Sequence, residues 1–89
     1  AWVSDLSTGP ARRRLLHLLR RLGEHAGIDG TIWLPRREEI GAMLDMTFET
    51  ASRLVSAMRR EGVLTLAPGR SAVLDRAALR KALLAEGAA

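Results

Sequence analysis

Apolar residues recur at three- and four-residue spacing in the middle of this chain, between residues 47 and 62. At about 100° per residue, apolar positions with this spacing fall on one side of a helix and the remaining positions on the other. The apolar side holds Ala51, Leu54, Val55 and Met58, and the polar side holds Glu49, Arg53, Ser56 and Arg60 with Ser52 at its flank. The pattern predicts a helix with one buried and one exposed side.

The residues at both ends of this stretch favour the same bounds. Thr47 is a suitable N-cap because its hydroxyl can accept a hydrogen bond from a backbone N–H of the first turn. Gly62 ends the helix, since glycine enters the left-handed conformation without a Cβ penalty. A shorter helical pattern covers residues 36–44 and follows Pro35, which suits the first helical position. Because only two residues separate the patterns, they predict a helix-turn-helix.

The segment before this pair predicts one more helix and a short strand. The helix begins at Pro10, and Ser7 or Thr8 is placed to cap it. Its apolar stripe consists of Ala11, Leu15, Leu18, Leu19, Leu22 and Ala26. Residues 31–34 are mostly β-branched or aromatic, which is typical of a strand.

The segment after the pair predicts a hairpin and a last helix. Residues 63–66 and 71–74 have strand composition, and Pro68-Gly69 between them is a turn sequence. Asp75 is placed to cap a helix over residues 76–86. The fold class is therefore mainly α with a small antiparallel β-sheet, a winged helix-turn-helix. It spans residues 10–86, with a linker at 1–9 and a tail at 87–89.

Charge and composition narrow the classes of function. The formal net charge is +4, and Arg12, Arg13, Arg14, Arg20 and Arg21 precede Glu24 with no acid between them, as in nucleic-acid-binding proteins. The chain has no cysteine and no apolar run that would span a membrane, which fits a cytoplasmic location. It also has no nucleophile with a partnered base, no paired-carboxylate cleft, no phosphate loop and no metal cluster, so we do not expect an enzyme.

The polar side of the central helix carries groups that read bases in a DNA major groove. Arg53 can pair with guanine O6 and N7, Glu49 can accept from cytosine N4, and the serine hydroxyls can serve either role. One G·C pair, or two neighbouring ones, could thus be read by Glu49 and Arg53 together. The alternative is an i,i+4 Glu–Arg pair on a solvated helix face, which is common on exposed helices.

Three segments in order resemble the C-terminal DNA-binding domain of the Crp/Fnr transcription regulators. They are Leu34-Pro35-Arg36-Arg37-Glu38-Glu39-Ile40-Gly41, Thr47-Phe48-Glu49-Thr50-Ala51-Ser52-Arg53-Leu54 and Gly62-Val63-Leu64. The Glu-x-x-Ser-Arg form is nearer the Fnr branch. The resemblance implies that helix 47–61 lies in the major groove and reads a TTGA-like half-site through Glu49, Ser52 and Arg53.

The resemblance also implies further contacts and partners. Secondary or phosphate contacts are expected from Arg36, Arg37, Thr47, Phe48, Thr50, Ser56, Arg60 and Arg70. The full-length protein is expected to be a homodimer that contacts RNA polymerase. No cofactor is expected in this segment, and an effector such as a cyclic nucleotide, haem or an iron–sulfur cluster would bind a missing N-terminal domain.

Two positions depart from the family pattern. Asp45 stands where the turn usually has glycine, and it must then adopt a left-handed conformation that aspartate tolerates better than most residues. Phe48 stands where some members have arginine or a small residue. We expect it to pack under the start of the helix, and contact with a thymine methyl is the alternative.

Two other functions are compatible with this sequence. Residues 34–38 also resemble the Leu-Pro-Ser-Glu-Arg segment at the start of a GntR-type winged helix. The segment 49–53 favours the Crp/Fnr family instead. A winged helix can also serve only as a protein-interaction module, in which case Glu49 and Arg53 would be dispensable for partner binding.

The family's dimerisation helix is not among these 89 residues. We therefore expect the chain to be a monomer that binds DNA weakly. Sedimentation velocity checks this, and a stable dimer would contradict it.

Overall fold

The computed structural model describes residues 9–86, which form four helices and one three-stranded sheet. In chain order these are α1 (Pro10–Gly23), β1 (Thr31–Trp33), α2 (Arg37–Leu44), α3 (Phe48–Arg60), β2 (Leu64–Leu66), β3 (Ser71–Leu74) and α4 (Arg76–Ala85). The predicted fold class is confirmed. The segments 1–8 and 87–89, which hold most of the predicted linker and the tail, lie outside the described residues.

The sheet is antiparallel, with β3 between β1 and β2. Strands β1 and β2 are each one residue shorter than predicted, and β3 has the predicted bounds. Gly69 has a φ of 72° in the turn that joins β2 to β3, a conformation that favours glycine. The hairpin is therefore the predicted wing, and β1 extends it into a three-stranded sheet whose inner side packs on the helices.

The core lies between the four helices and the inner side of the sheet. From α3 it takes Leu54, Val55 and Met58, which are fully buried as the helical pattern predicted. The predicted stripe of α1 also faces inward, although its last member, Ala26, lies beyond the end of the helix at Gly23, and Leu16 is fully buried beside it. The buried side of α1 is thus wider than its three- and four-residue pattern indicated.

Helix α1 begins at Pro10 as predicted, whereas the predicted start of α2 is wrong. The N-cap of α1 is Gly9, and the residues predicted to cap this helix, Ser7 and Thr8, lie outside the described residues. Helix α2 begins at Arg37, two residues after Pro35. A carboxylate oxygen of Glu39 accepts the backbone N–H of Arg36 at 2.7 Å, which makes Arg36 the N-cap and leaves the buried Pro35 outside the helix.

Arg12, which belongs to the arginine cluster near the start of the chain, is buried. Its side chain is 5% exposed and donates to Glu61 at 2.9 and 2.6 Å and to Glu86 at 3.0 Å. The Glu86 side chain is 3% exposed, whereas that of Glu61 is 39% exposed. Arg12 therefore joins the start of α1 to the residues that end α3 and α4.

The two carboxylates stabilise the charged form of Arg12. Burial lowers the pKa of its guanidinium, and the hydrogen bonds and charges of Glu61 and Glu86 more than offset this, so that the pKa lies above its ordinary value. The contact with Glu61 contributes less to stability than its geometry suggests, because solvent screens a half-exposed carboxylate.

Replacing Arg12 by methionine is expected to lower the free energy of unfolding by about 3 kcal/mol. The substitution leaves the carboxylate of Glu86 buried without its partner, which costs several kcal/mol in proteins. Urea denaturation followed by circular dichroism measures the change.

Arg13→Met is the matched control, because Arg13 is exposed on the same turn of α1. Its effect should stay within about 0.5 kcal/mol. Equal losses in the two variants would show that the buried ion pairs do not stabilise the fold.

Candidate nucleic-acid interface

The contact between α2 and the turn that follows it sets how α2 and α3 cross. Asp45 adopts the left-handed conformation predicted for it, with φ 58° and ψ 56°. Its neighbour Met46 donates its backbone N–H to the carbonyl of Gly41 at 2.9 Å. A Cβ on Gly41 would lie 2.6 Å from the carbonyl oxygen of Met46. Glycine at this position therefore allows the turn to approach α2 closely enough for α3 to cross it.

The start of α3 is closed by the predicted cap. The hydroxyl oxygen of Thr47 accepts the backbone N–H of Thr50 at 3.0 Å, and the two threonine hydroxyls are also 3.0 Å apart. Glu49 lies in the first turn, where a negative charge interacts favourably with the helix dipole. Hydrogen bonds between residues at the start of α3 therefore hold its first turn in place.

The end of α3 passes directly into the wing. Gly62 has a φ of 79°. Its N–H donates to the carbonyl oxygen of Arg59 at 3.1 Å, and the N–H of Val63 donates to the carbonyl oxygen of Met58 at 2.9 Å. These two bonds form a Schellman motif. Because Val63 is buried and β2 starts at Leu64, the helix end fixes where the wing begins.

The predicted base-reading residues lie together on the outer side of α3. Glu49 and Arg53 are exposed, and Ser52 is half-buried beside them. The next turn continues the row with half-buried Ser56 and exposed Arg60. An open groove of about 320 Å³ is lined by Ser52, Arg53, Ser56 and Arg60. The structure therefore presents a row of donors and acceptors that points away from the core along more than two turns.

Phe48 does not pack under the start of α3, so that prediction was wrong. As the first residue of the helix it is 55% exposed, and it neighbours Glu49 on the outer surface. The inward positions of the first turn are taken by buried Ala51 and half-buried Thr50. Phe48 therefore presents an aromatic ring to solvent at the end of the polar row.

The predicted phosphate contacts Arg36 and Arg37 lie at the start of α2, close to the wing. Arg36 is exposed and Arg37 half-buried, and both line a groove of about 280 Å³ with Arg70 and residues of the wing turn. Positive charges at a helix start interact unfavourably with the helix dipole, and Glu39 in the first turn of α2 offsets part of this. The structure thus brings three arginines from two segments, the start of α2 and the wing turn, to one groove.

Arg70 has protein partners that the sequence did not indicate. Its guanidinium is paired with the carboxylate of Glu39 and lies 4.4 Å from the centre of the Trp33 ring. Its side chain is 36% exposed. Arg70 therefore links the wing turn to α2 and β1. A phosphate that binds Arg70 would have to share its guanidinium with Glu39.

The described residues show neither a metal site nor a membrane-spanning helix. Across residues 9–86, no three histidine, cysteine, aspartate or glutamate side chains lie close enough together to hold a metal ion. No helix in this part of the chain has the length and apolar content needed to cross a bilayer.

Comparisons with known proteins agree with this geometry. A family model described as a Crp-like helix-turn-helix domain matches residues 13–82. The solved structure of FixK2 from Bradyrhizobium japonicum is 32% identical over 80% of this chain, and that of the Thermus thermophilus catabolite activator protein is 27% identical over 98%. The TM-score is 0.68 for both, and the chain spans 37% and 38% of their lengths. A comparison with curated proteins found no match.

Replacing Gly41 by alanine is expected to destabilise the helix pair by about 1–3 kcal/mol, as in other overpacked sites. The new Cβ would collide with the backbone of Met46, and the gain in helix propensity, up to about 1 kcal/mol, cannot offset this. Thermal unfolding measures the loss.

Ala42→Ser is the control, because Ala42 is exposed on the same helix. It should unfold close to the temperature of the parent chain. A Gly41→Ala chain as stable as its parent would mean that the turn can move away from α2 freely.

Proposed function

Because this chain belongs to the Crp-like helix-turn-helix domain family, whose members are DNA-binding transcription regulators, we propose that α3 lies in the major groove and reads a TTGA-like half-site. The observation that carries the proposal is the outward row of Glu49, Ser52 and Arg53 on a helix whose other side is buried. An α-helix with its side chains is about 10–12 Å wide, and the major groove of B-DNA is about 12 Å wide.

In this proposal, one G·C pair of the half-site is read by two residues. Arg53 donates to guanine O6 and N7, and Glu49 accepts from the N4 amino group of the paired cytosine. The two side chains lie one helical turn apart, so they can reach opposite members of one base pair. Ser52 lies at the flank of this row and can donate to or accept from a neighbouring base.

Phe48 fits the thymines of the half-site. Thymine is the base that presents a methyl group in the major groove, and an apolar side chain can contact it there. The exposed ring of Phe48 adjoins Glu49 at the start of α3, so it would meet the bases next to the G·C pair. A TTGA sequence has two thymines immediately before its guanine.

The remaining polar groups are proposed to position the domain on the phosphates. Contacts of this kind fix register without reading sequence. They would come from Arg36, Arg37, Thr47, Thr50, Ser56, Arg60 and Arg70. The Thr47 and Thr50 hydroxyls already bond each other, and Arg70 is paired with Glu39, so we expect the exposed Arg36 and Arg60 to contribute most.

A regulator that contains this domain is proposed to act as a homodimer on a pseudo-palindrome. Two copies related by a two-fold axis read two half-sites, and the dimer sets their spacing. The chains of FixK2 and the catabolite activator protein are more than twice as long as the part this chain matches, which leaves room for a dimerisation and effector region. That region, with a cyclic nucleotide, haem or an iron–sulfur cluster, and contact with RNA polymerase are part of the proposal.

Arg53→Ala is expected to weaken binding to a duplex with a TTGA palindrome by about 1–3 kcal/mol, and to weaken binding to a scrambled duplex much less. The reason is that a base contact is lost only where the matching base is present. Fluorescence anisotropy with both duplexes at two salt concentrations measures the difference.

Arg80→Ala is the control, since it removes the same charge from an exposed position on α4. It should not change the preference for the palindrome. Equal losses on both duplexes in Arg53→Ala would make Arg53 a phosphate contact. No binding by the parent chain even at low salt would favour a protein-interaction module.

A further inference from the structure

A third groove runs beside the base-reading row, and its residues Arg59 and Leu64 to Leu66 have no role in the contacts described so far. It has a volume of about 520 Å³ and lies between the last two turns of α3 and strand β2. It is lined by Ser56, Arg59, Arg60, Leu64, Thr65 and Leu66. Ser56 and Arg60 line the smaller groove of the reading row as well, so the two grooves are continuous.

Arg59 lies in the last turn of α3, on the flank that adjoins β2 and out of line with Glu49 and Arg53. It is ten residues after Glu49, which rotates it by about 80° from Glu49 around the helix axis. A helix that fills the major groove turns such flanking side chains toward the sugar–phosphate backbone. Arg59 is exposed on the flank that adjoins β2.

The charge of Arg59 and Arg60 is not cancelled by the acid next to them. Glu61 follows them directly, but its carboxylate oxygens accept two hydrogen bonds from Arg12. Among residues 9–86, no hydrogen bond or ion pair engages either guanidinium. The Arg12–Glu61 pair therefore leaves the groove with a positive potential that suits an anion.

Strand β2 adds backbone donors to this groove. It is an edge strand of the described sheet, because β3 pairs with it on one side only. Ala67 donates to Ser71 and Asp75 donates to Val63, so these positions of the strand face β3. By the alternation of an antiparallel ladder, the N–H of Leu66 points to the open edge, where the groove lies.

We propose that Arg59 and the open edge of β2 bind a phosphate of the DNA backbone beside α3. The inference rests on the DNA binding proposed above and adds a contact that base readout does not need. Arginine and backbone N–H groups are common donors to DNA phosphates. The contact fixes the distance between the wing and one wall of the major groove, which positions the reading row at its bases.

The salt dependence of binding tests the proposal. Each phosphate that a protein neutralises adds about 0.9 to the slope of log K against log salt concentration for B-DNA. Arg59→Gln should therefore make the slope less steep by about 0.9, and should weaken binding to TTGA and scrambled duplexes by equal factors. Arg80→Gln removes the same charge on α4 and should leave the slope nearly unchanged.

A duplex with neutral methylphosphonate linkages, placed singly along the half-site, identifies the partner. At one linkage the parent chain should lose affinity while Arg59→Gln loses none, because that contact is already missing. At the other linkages both chains should lose affinity equally.

The outcomes separate the two proposals. An unchanged salt slope in Arg59→Gln, or an equal change in Arg80→Gln, would overturn the phosphate contact and leave DNA binding intact. If Arg59 only stabilises the end of α3, the Arg59→Gln variant will unfold at a lower temperature than the parent chain and keep the same salt slope. This result would also overturn the phosphate contact. A parent chain that binds neither duplex would overturn the proposed function and this contact together.

Discussion

Burial of one side of α3 is the constraint on which the other features depend. Leu54, Val55 and Met58 are fully buried, and burying each such side chain is worth about 1.5–3 kcal/mol. Turning the helix about its axis would expose them, so the packing fixes which residues face outward. The direction of Glu49 and Arg53 is therefore a consequence of the core and not of any contact they make.

The two ends of α3 transfer this orientation to the rest of the domain. At the start, the approach of Met46 to Gly41 sets how α3 crosses α2. At the end, the Schellman motif around Gly62 turns the chain into Val63 and the wing. The wing and α3 thus share one junction, and the groove between them is formed by the fold itself.

The arginines of this chain divide into two groups by their partners. Arg12 is buried with Glu61 and Glu86, and Arg70 is held by Glu39 and the ring of Trp33. Others, such as Arg59, keep their charge at the surface beside α3. A count of basic residues predicts nucleic-acid binding but not which of them serve it. The ion pairs show which of these arginines are held by acids of the same chain.

The sequence by itself determined the elements of this protein and the groups on their outer sides. Helical periodicity identified the buried side of α3, and the caps Thr47 and Asp75 were predictable because each bonds a residue three positions away. The tertiary structure alone decided the partners of Arg12, which lie 49 and 74 residues distant, and the exposure of Phe48. Local patterns depend on neighbours in the chain, whereas burial depends on which surfaces meet when the helices pack.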